Sequence, residues 1–292
     1  MNRTKLNLVL LVLAAALGAG VFFSQKKEEK GPPLTPLTAE TLNKIAIEHP
    51  GNAAIVLAKT GGDWNLTAPV AARVDEFEIN ALLGLADREA KETLNRAQVK
   101  LAELGLDPPQ YIITLNDTAI AFGGVEPLQY RRYVKAGEAV VLIEDPPSAA
   151  LDKDYADLVA KGLFDDAAEI ERITLPQLTL AKDKDGKWTV KPADPNASAD
   201  SMQRLADGWK VARSMWNEMP KDLKPKGDNV VVTLKDGTEH RFVILERDPQ
   251  FKLYSPTAGV NYILSKALTE ELLKLPEEKK EETASDSSDK AE

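Results

Sequence analysis

Few side chains of this 292-residue chain are suited to catalysis, because it contains no cysteine and only two histidines. His49 precedes Pro50 in a predicted turn, and His240 alternates with Phe242 on a predicted strand, so we expect both imidazoles at the surface. A catalytic base needs a positioned nucleophile or carboxylate, and no local motif supplies one to either histidine. The lack of cysteine excludes thiol nucleophiles, zinc ribbons and iron–sulfur clusters. We therefore expect no enzyme activity and no cofactor.

Short motifs for phosphate, metal or acyl chemistry are also missing from the sequence. It contains no Gly-x-Ser-x-Gly elbow, no Walker loop and no His-Glu-x-x-His pair. The run Asp183-Lys-Asp-Gly186 resembles the start of a calcium loop, but it lacks the distal glutamate and coincides with a predicted hairpin turn. We expect a turn there and no metal site. A net charge of −9 and a pI near 5.0 argue against a nucleic-acid partner.

The N-terminal residues have the pattern of a signal anchor. Residues 1–5 form a short basic tail, and residues 6–23 are apolar except for Asn7. This run gives about 27 Å of helix at ~1.5 Å per residue, which matches a hydrocarbon core of ~30 Å. A cleaved signal peptide is the alternative, because small residues such as Ala14 and Ala19 suit a signal peptidase. The apolar run continues past them, which favours the uncleaved anchor.

The anchor predicts a single-pass protein of a bacterial inner membrane, with its C-terminal domain in the periplasm, where the lack of cysteine avoids mispairing. Residues 24–36 are rich in charge and proline. They are predicted to form an extended spacer that holds the folded part up to ~40 Å from the membrane. Residues 276–292 are almost all Glu, Lys, Ser, Asp and Ala, which predicts a disordered acidic tail.

Between these segments the same order of signals occurs twice. A strand opens at residues 42–45 and again at residues 170–173. Each is followed by a hairpin with a glycine-containing turn suited to positive φ, then by a tryptophan, and then by a proline that ends the strand. In order, these residues are Gly61-Gly62, Trp64 and Pro69 in the first half and Asp185-Gly186, Trp188 and Pro192 in the second.

Each half then begins a helix with a matching cap. Asp75 with Glu78, and Asp200 with Gln203, have the spacing of a capping box. Apolar residues behind these caps recur with helical spacing and predict that both helices lie on a sheet. They are Ile79, Leu82, Leu83, Ala86 and Ala90 in the first half and Met202, Leu205, Trp209, Ala212 and Trp216 in the second.

The strands that complete each half correspond in order, and each half ends in an amphipathic helix, predicted over residues 151–163 and 267–275. The corresponding segments are Tyr111-Ile-Ile-Thr-Leu115 with Val230-Val-Val-Thr-Leu234, Arg132-Tyr-Val134 with Lys252-Leu-Tyr254, and residues 140–143 with 261–264. We therefore predict an α+β fold. It consists of two tandem copies of a mixed, largely antiparallel β-sheet unit with packed helices, at residues 37–165 and 166–275, preceded by one N-terminal transmembrane helix.

Two sets of residues are candidates for particular roles. The predicted structural core anchors are Trp64, Trp188 and Trp209. These side chains face a helix or lie on its apolar stripe, and a ligand-stacking role is the alternative for the first two. Three basic residues, Arg131, Arg132 and Lys135, flank a strand. They are predicted to protect a sheet edge, where charge discourages strand addition, and a docking strip for an acidic partner is the sharper alternative.

Several motifs of the first half form a set that points to a family. They are Ile45-Ala-Ile-Glu48, Trp64-Asn-Leu-Thr-Ala-Pro69, Gly105-Leu-Asp-Pro-Pro109, Ala121-Phe-Gly123 and Arg132-Tyr-Val134. This set resembles the DUF4340 family, a domain of unknown function, over residues 34–275 and the N-terminal helix. Its most specific element is the Gly-Leu-Asp-Pro-Pro run, and the second half departs from it with Lys221-Asp-Leu-Lys-Pro225.

The resemblance implies a role, because members of that family look like single-span periplasmic proteins associated with ABC-type transport systems of the gliding-motility kind. It implies a non-enzymatic accessory or scaffold subunit whose partners are the inner membrane, an ABC permease and another periplasmic subunit. The alternative is an envelope module that binds a glycan, peptide or lipid in the cleft between the two copies. No site residues are carried over from the family.

Overall fold

The computed structural model of the protein describes Leu11 and residues 31–144, 151–195 and 197–276. Apart from Leu11, the predicted transmembrane helix at residues 6–23 lies outside the described residues, and so does the predicted tail from residue 277 onward. In the described part of the chain, no helix is long and apolar enough to cross a membrane.

Two antiparallel β-sheets and a few short helices make up the fold. The first sheet contains β1 (Lys44–Glu48), β2 (Ile55–Thr60), β3 (Asp63–Ala68), β4 (Ala72–Arg73), β5 (Glu92–Leu94), β6 (Tyr111–Leu115), β7 (Thr118–Val125), β8 (Arg131–Ala136) and β9 (Ala139–Glu144). The second contains β10 (Ile170–Thr174), β11 (Thr179–Lys182), β12 (Trp188–Lys191), β13 (Trp216–Glu218), β14 (Asp228–Leu234), β15 (Glu239–Glu246), β16 (Phe251–Ser255) and β17 (Val260–Leu264). The helices are α1 (Glu76–Leu83), α2 (Tyr155–Leu158), α3 (Ala199–Val211) and α4 (Ala267–Leu273), with a 3₁₀ turn at Ala39–Thr41. The predicted α+β class with antiparallel sheets is confirmed.

The two sheets share one strand order. The first runs β4-β3-β2-β1-β6-β7-β8-β9-β5, and the second runs β12-β11-β10-β14-β15-β16-β17-β13. Apart from β4, each strand of the first sheet has a counterpart at the same place in the second. In both, the chain passes through a helix, α1 or α3, to an edge strand, β5 or β13, on the far side of the sheet. We call the halves that carry these sheets the first unit and the second unit.

The local signals for hairpins and strand ends are confirmed. The β2–β3 turn contains Gly61 and Gly62 and the β11–β12 turn contains Gly186, all with positive φ. Strands β3 and β12 each end at the residue before a proline, Pro69 or Pro192. Proline has no N–H to donate to the ladder, so it ends the pairing there.

The first predicted capping box is confirmed at Asp75 but not at Glu78, and the second is wrong. Asp75 caps α1 by accepting from the backbone N–H groups of Phe77 and Glu78, although the Glu78 side chain does not reach back. The cap of α3 is Ser198, which exchanges hydrogen bonds with Ser201. The predicted Asp200–Gln203 box is therefore wrong, because two serines with the same spacing lie two residues earlier.

The predicted helix at residues 151–163 is also wrong, since α2 spans only Tyr155–Leu158. Residues 159–163, which we call the connector, are not helical and form isolated bridges with backbone on both sides. Ala160 N–H donates to Arg73 O at 2.9 Å, and Leu163 N–H donates to Ala212 O at 3.2 Å. Strand-like pairing between the units replaces helix here.

Part of the predicted spacer packs against the first unit. Leu34 N–H donates to Arg88 O at 2.7 Å, and Ala90 N–H donates to Pro32 O at 2.9 Å. Leu34 and Thr35 are buried. A Cβ on Gly31 would lie 1.7 Å from Ala90 O, so only glycine permits this approach. The prediction that residues 24–36 stand free of the fold is therefore wrong from residue 31 onward.

The strands β8 and β16 do not match in the predicted register. Val134 of β8 faces the hydrophobic core, and so do Phe251 and Leu253 of β16. Alternation along the strands puts Lys252 and Tyr254 on the opposite face. The predicted equivalence of Arg132-Tyr-Val134 with Lys252-Leu-Tyr254 is wrong, because a slip of one residue exchanges the two faces of a strand.

The hydrophobic core forms one cluster that extends through both units. Leu82 of α1 and Leu205 and Trp209 of α3 are fully buried in it, as their helical spacing predicts. Trp216 does not belong to that stripe. It lies on the edge strand β13 with 39% of its surface exposed, because α3 has already ended at Val211.

Candidate functional site

The docking strip of Arg131, Arg132 and Lys135 does not form on the surface. Strand β8 lies inside the sheet between β7 and β9, and not at its edge. Arg132 is buried, and its Nη1 donates to Gly123 O at 2.9 Å and to Gln110 Oε1 at 3.2 Å. Arg131 and Lys135 lie on the other face and are only partly exposed. The docking-strip alternative is therefore wrong for Arg132, and the predicted edge protection is wrong for the strand.

The predicted core anchors differ in burial. Trp209 is fully buried, and its Nε1 donates to Leu272 O at 2.8 Å. Trp64 and Trp188 are partly buried and pack against the core. Trp188 Nε1 donates to Gln203 Oε1 at 3.0 Å, and Lys182 Nζ lies 5.2 Å from the centre of its ring. Contacts within the unit thus occupy Trp188.

The Gly105-Leu-Asp-Pro-Pro109 loop packs on β7. Gly124 N–H donates to Leu104 O at 2.8 Å, and Leu106 is buried. A Cβ on Gly123 would lie 2.4 Å from Leu104 O and 2.9 Å from the Leu106 side chain. The packing of this loop therefore depends on glycine in β7, which gives the motif a structural role.

A cleft between the two units is the feature best suited to bind something. The connector crosses it, hydrogen-bonded to the first unit at Arg73 and to the second at Ala212. Ser214 N–H also donates to Lys161 O at 2.9 Å, and Asn217 Nδ2 donates to Val159 O at 2.8 Å. These bonds fix both walls to one strip of backbone, so the cleft is held open by the fold.

Arg73 lies at the centre of this cleft and lines a cavity on each side. Its Nη2 donates to Gly162 O at 2.7 Å, which fixes the guanidinium against the connector. The cavity toward α1 has a volume of about 380 Å³, and the cavity toward the second sheet has a volume of about 210 Å³. We call them the outer cavity and the inner cavity.

The outer cavity carries charges of both signs. Its cationic side chains are Arg73, Lys161 and Arg213, and its acidic ones are Asp75, Glu76, Asp165 and Asp166. The Asp75 carboxylate is engaged as the α1 cap. Because the charges are mixed, this cavity has no clear preference for the sign of a ligand.

The inner cavity has a different lining. Its polar side chains are Arg73, His240, Ser255, Thr257 and Tyr262, and its apolar wall includes Leu163, Phe242 and Ala258. His240 packs edge-on against Phe164 with ring centres 5.1 Å apart. Of the described residues that line this cavity, Arg73 alone carries a formal charge at neutral pH.

The environment of the inner cavity shifts the pKa values of two side chains. Burial, and then the charge of Arg73, lower the pKa of His240 below its ordinary value of 6.5, although Asp236 opposes this shift. Burial raises the pKa of Tyr262 to about 12, with Arg73 acting in the opposite direction. At neutral pH the imidazole is therefore neutral and the phenol keeps its proton, so both can donate hydrogen bonds.

The sequence predicts both histidines at the surface, but neither side chain is fully exposed in the structure. His240 is half-buried in the cleft, while His49 is partly buried beside Tyr111, with ring centres 5.8 Å apart. Its Nε2 lies 2.7 Å from Asp152 Oδ1. Residues 49 and 152 are far apart in the chain, so local motifs could not reveal this pair. In the described part of the chain, no group of three His, Cys, Asp or Glu side chains could hold a metal ion.

The edge of the second sheet carries a surface that sequence patterns did not predict. Large apolar side chains there are between 39% and 69% exposed. They are Val211, Met215, Trp216, Met219 and Leu223, which we call the apolar edge surface. The available signal was the density of methionine and aromatic residues after the end of α3.

Comparison with known proteins identifies a family model. The model described as "Domain of unknown function (DUF4340)" matches residues 64–234. No curated protein and no solved structure matches the chain. The matched range contains Arg73, the connector and the apolar edge surface, and it ends before His240 and Tyr262.

Proposed function

Because the chain belongs to the DUF4340 family, whose members look like companions of ABC-type transporters of the gliding-motility kind, we propose that it is an accessory subunit of such a transport complex. In this proposal the transmembrane helix predicted from the sequence at residues 6–23 anchors it in a bacterial inner membrane, and the folded units lie in the periplasm. It acts as a non-enzymatic scaffold that contacts an ABC permease and another periplasmic subunit.

The apolar edge surface is the observation that carries the scaffold proposal. Exposed clusters of large apolar side chains mark protein interaction sites more often than other surfaces. Methionine adapts to the shape of a partner, and aromatic residues dominate the binding energy of many interfaces. Met215, Trp216 and Met219 place both residue types on one edge strand and its flanks.

The position of β13 favours a particular kind of partner. It is the last strand of its sheet, so one side of its backbone has no neighbouring strand in the described part of the chain. Native proteins protect such edges with charge or cover them. We propose that an apolar segment of a partner subunit covers β13 by adding to it as a further strand.

Cross-linking in intact cells followed by mass spectrometry tests the scaffold proposal. We expect cross-links to a permease or to another periplasmic subunit, and we expect them to disappear in the double variant Trp216→Glu with Met219→Glu. Tyr130→Glu is the matched control, because Tyr130 is 76% exposed on the first unit. Cross-links only to abundant envelope proteins, or to a second copy of this chain, would contradict the proposal.

A second candidate function is ligand binding in the cleft. The observation that favours it is the pair of cavities on the two sides of Arg73, which the connector holds between the units. Ligand sites often lie in concave regions between structural units and combine apolar walls with a few polar groups. The inner cavity has that composition.

A further inference from the structure

We propose that the inner cavity binds a small organic anion, with its carboxylate held by Arg73, Tyr262 and His240 and its apolar part against Phe242 and Ala258. This inference deepens the second candidate function and rests on it. It does not depend on the scaffold proposal, because the apolar edge surface is not part of this cavity.

Three polar side chains that line the inner cavity, Arg73, His240 and Tyr262, can all donate hydrogen bonds. Arg73 carries five N–H groups, of which the structure shows one bonded, to Gly162 O. At neutral pH, neutral His240 offers one ring N–H, and protonated Tyr262 offers its O–H. Among the described residues, no carboxylate lines this cavity. Donors without an opposing acid favour a ligand with negative charge.

Tyr262 supplies the second argument. Only 4% of this residue is exposed, and it lines the inner cavity. Among the described residues its hydroxyl is not one of the fully buried polar atoms that lack a partner, so it is open to water or to a ligand in the cavity. The hydroxyl lines the cavity beside Arg73, where a bound carboxylate would accept from both groups.

The size and walls of the cavity restrict the ligand. A volume of about 210 Å³ is below the range of roughly 300–1,000 Å³ that is usual for drug-sized ligands. Phe242, Leu163 and Ala258 line it with apolar surface. This combination suits a small aromatic or short aliphatic carboxylate, and it disfavours a strongly hydrated ion such as phosphate.

The two histidines of the chain provide a selective measurement. We would label histidine with carbon-13 in the full chain, purified in a non-ionic detergent, and follow both imidazole signals by NMR during titration with sodium benzoate. His240 lines the inner cavity, whereas His49 packs beside Tyr111 and serves as an internal control. Sodium chloride at equal ionic strength corrects for screening, and benzamide is the uncharged probe of the same shape.

The inference predicts that benzoate moves the His240 signal and raises its titration midpoint, because a bound anion stabilises the imidazolium. The His49 signal should stay unchanged, and benzamide and phosphate should have little effect. Tyr262→Phe should weaken benzoate binding by roughly tenfold, since it removes one hydrogen bond to a charged group. Arg73→Gln should abolish benzoate binding. If Arg73→Gln unfolds because it loses the contact with Gly162 O, the affinity of Tyr262→Phe for benzoate still tests the inference.

Four results would overturn the inference. Equal shifts of both histidines would show a non-specific effect of the anion. Unchanged affinity in Tyr262→Phe would show that benzoate binds elsewhere. Binding of benzamide as tight as that of benzoate would refute the anion preference and leave ligand binding in the cleft standing. No response of His240 to either probe would refute both the anion preference and ligand binding in the inner cavity.

Discussion

The two units share one strand order but differ at their outer edges. In the first unit the edge strand β5 exposes Glu92 and Thr93, and the segment at residues 31–34 pairs with the backbone that leads into it. In the second unit the connector likewise pairs with the backbone that leads into β13, since Ser214 N–H donates to Lys161 O, and the strand exposes Trp216 between two methionines. The two edges therefore differ in their exposed side chains, which are charged and polar at β5 and apolar at β13. The shared fold sets where strands lie, and the residues at each edge determine whether a partner can add there.

The units also differ inside. The core-facing side of β8 includes buried Arg132, while the core-facing side of β16 is apolar at Phe251 and Leu253. Lys252, which the sequence pairs with Arg132, lies on the opposite face and forms ion pairs with Glu218 and Glu246. The first unit therefore keeps a charge in its interior, and the second places its charge at the surface.

The largest expected effect tests this internal difference. Arg132→Ala should destabilise the protein by about 3 kcal/mol, because it leaves Gly123 O and Gln110 without their buried partner. Lys252→Ala should cost less than about 1 kcal/mol, since its ion pairs are partly exposed. Urea unfolding measures both. Equal losses in the two variants would support the register in which these residues are equivalent.

A smaller effect should come from the loops that cover the two sheets. Gly123→Ala should cost about 2 kcal/mol, because its Cβ would lie 2.4 Å from Leu104 O. Gly227→Ala should cost a similar amount in the second unit, where the Cβ would lie 2.3 Å from Ile244 O. Gly124→Ala is the control, with its nearest contact at 3.6 Å. A loss of thermal stability in Gly124→Ala as large as in the other two variants would show that close packing around the glycine does not cause the destabilisation.

The helix caps give a third, still smaller contrast. Asp75→Ala and Ser198→Ala should each cost about 1 kcal/mol, because each leaves helix N–H groups without an acceptor. Asp200→Ala should change stability by less than about 0.5 kcal/mol, since its exposed pair with Arg204 contributes little. A large loss of stability in Asp200→Ala, measured by urea unfolding, would support Asp200 as the cap of α3.

The smallest expected effect is a pH dependence from the cleft. The pKa of His240 in the folded chain lies below its ordinary value of 6.5, so the unfolded chain takes up this proton first as the pH falls. Folded-state stability should therefore decline below pH 6.5. His240→Gln should lose less stability than the wild type over this interval, and His49→Gln is the matched control. If the curves of stability against pH for the wild type and His240→Gln run parallel, this pH dependence does not come from His240.

Local signals predicted most of the fold and little of the site. The glycine turns and the prolines that end β3 and β12 act through neighbouring residues, so the sequence was sufficient there. The connector could not be predicted, because the backbone partners that replace helical hydrogen bonds at residues 159–163 are Arg73 and Ala212, which are far away in the sequence. Burial of Arg132 depends on which side chains of β8 face the core, and a register slip of one residue exchanges the two faces of the strand. The cleft joins Arg73 to His240 across both units, and no short pattern records that proximity.

Site-specific photo-cross-linking in cells tests the difference between the two edges most directly. A benzophenone-bearing residue would replace Trp216 on β13 in one experiment and Thr93 on β5 in the other, and the products would be identified by mass spectrometry. Cross-links from position 216 to a transport permease or another periplasmic subunit, with none from position 93, are the predicted result. Equal products from both positions, or none from position 216, would contradict the account.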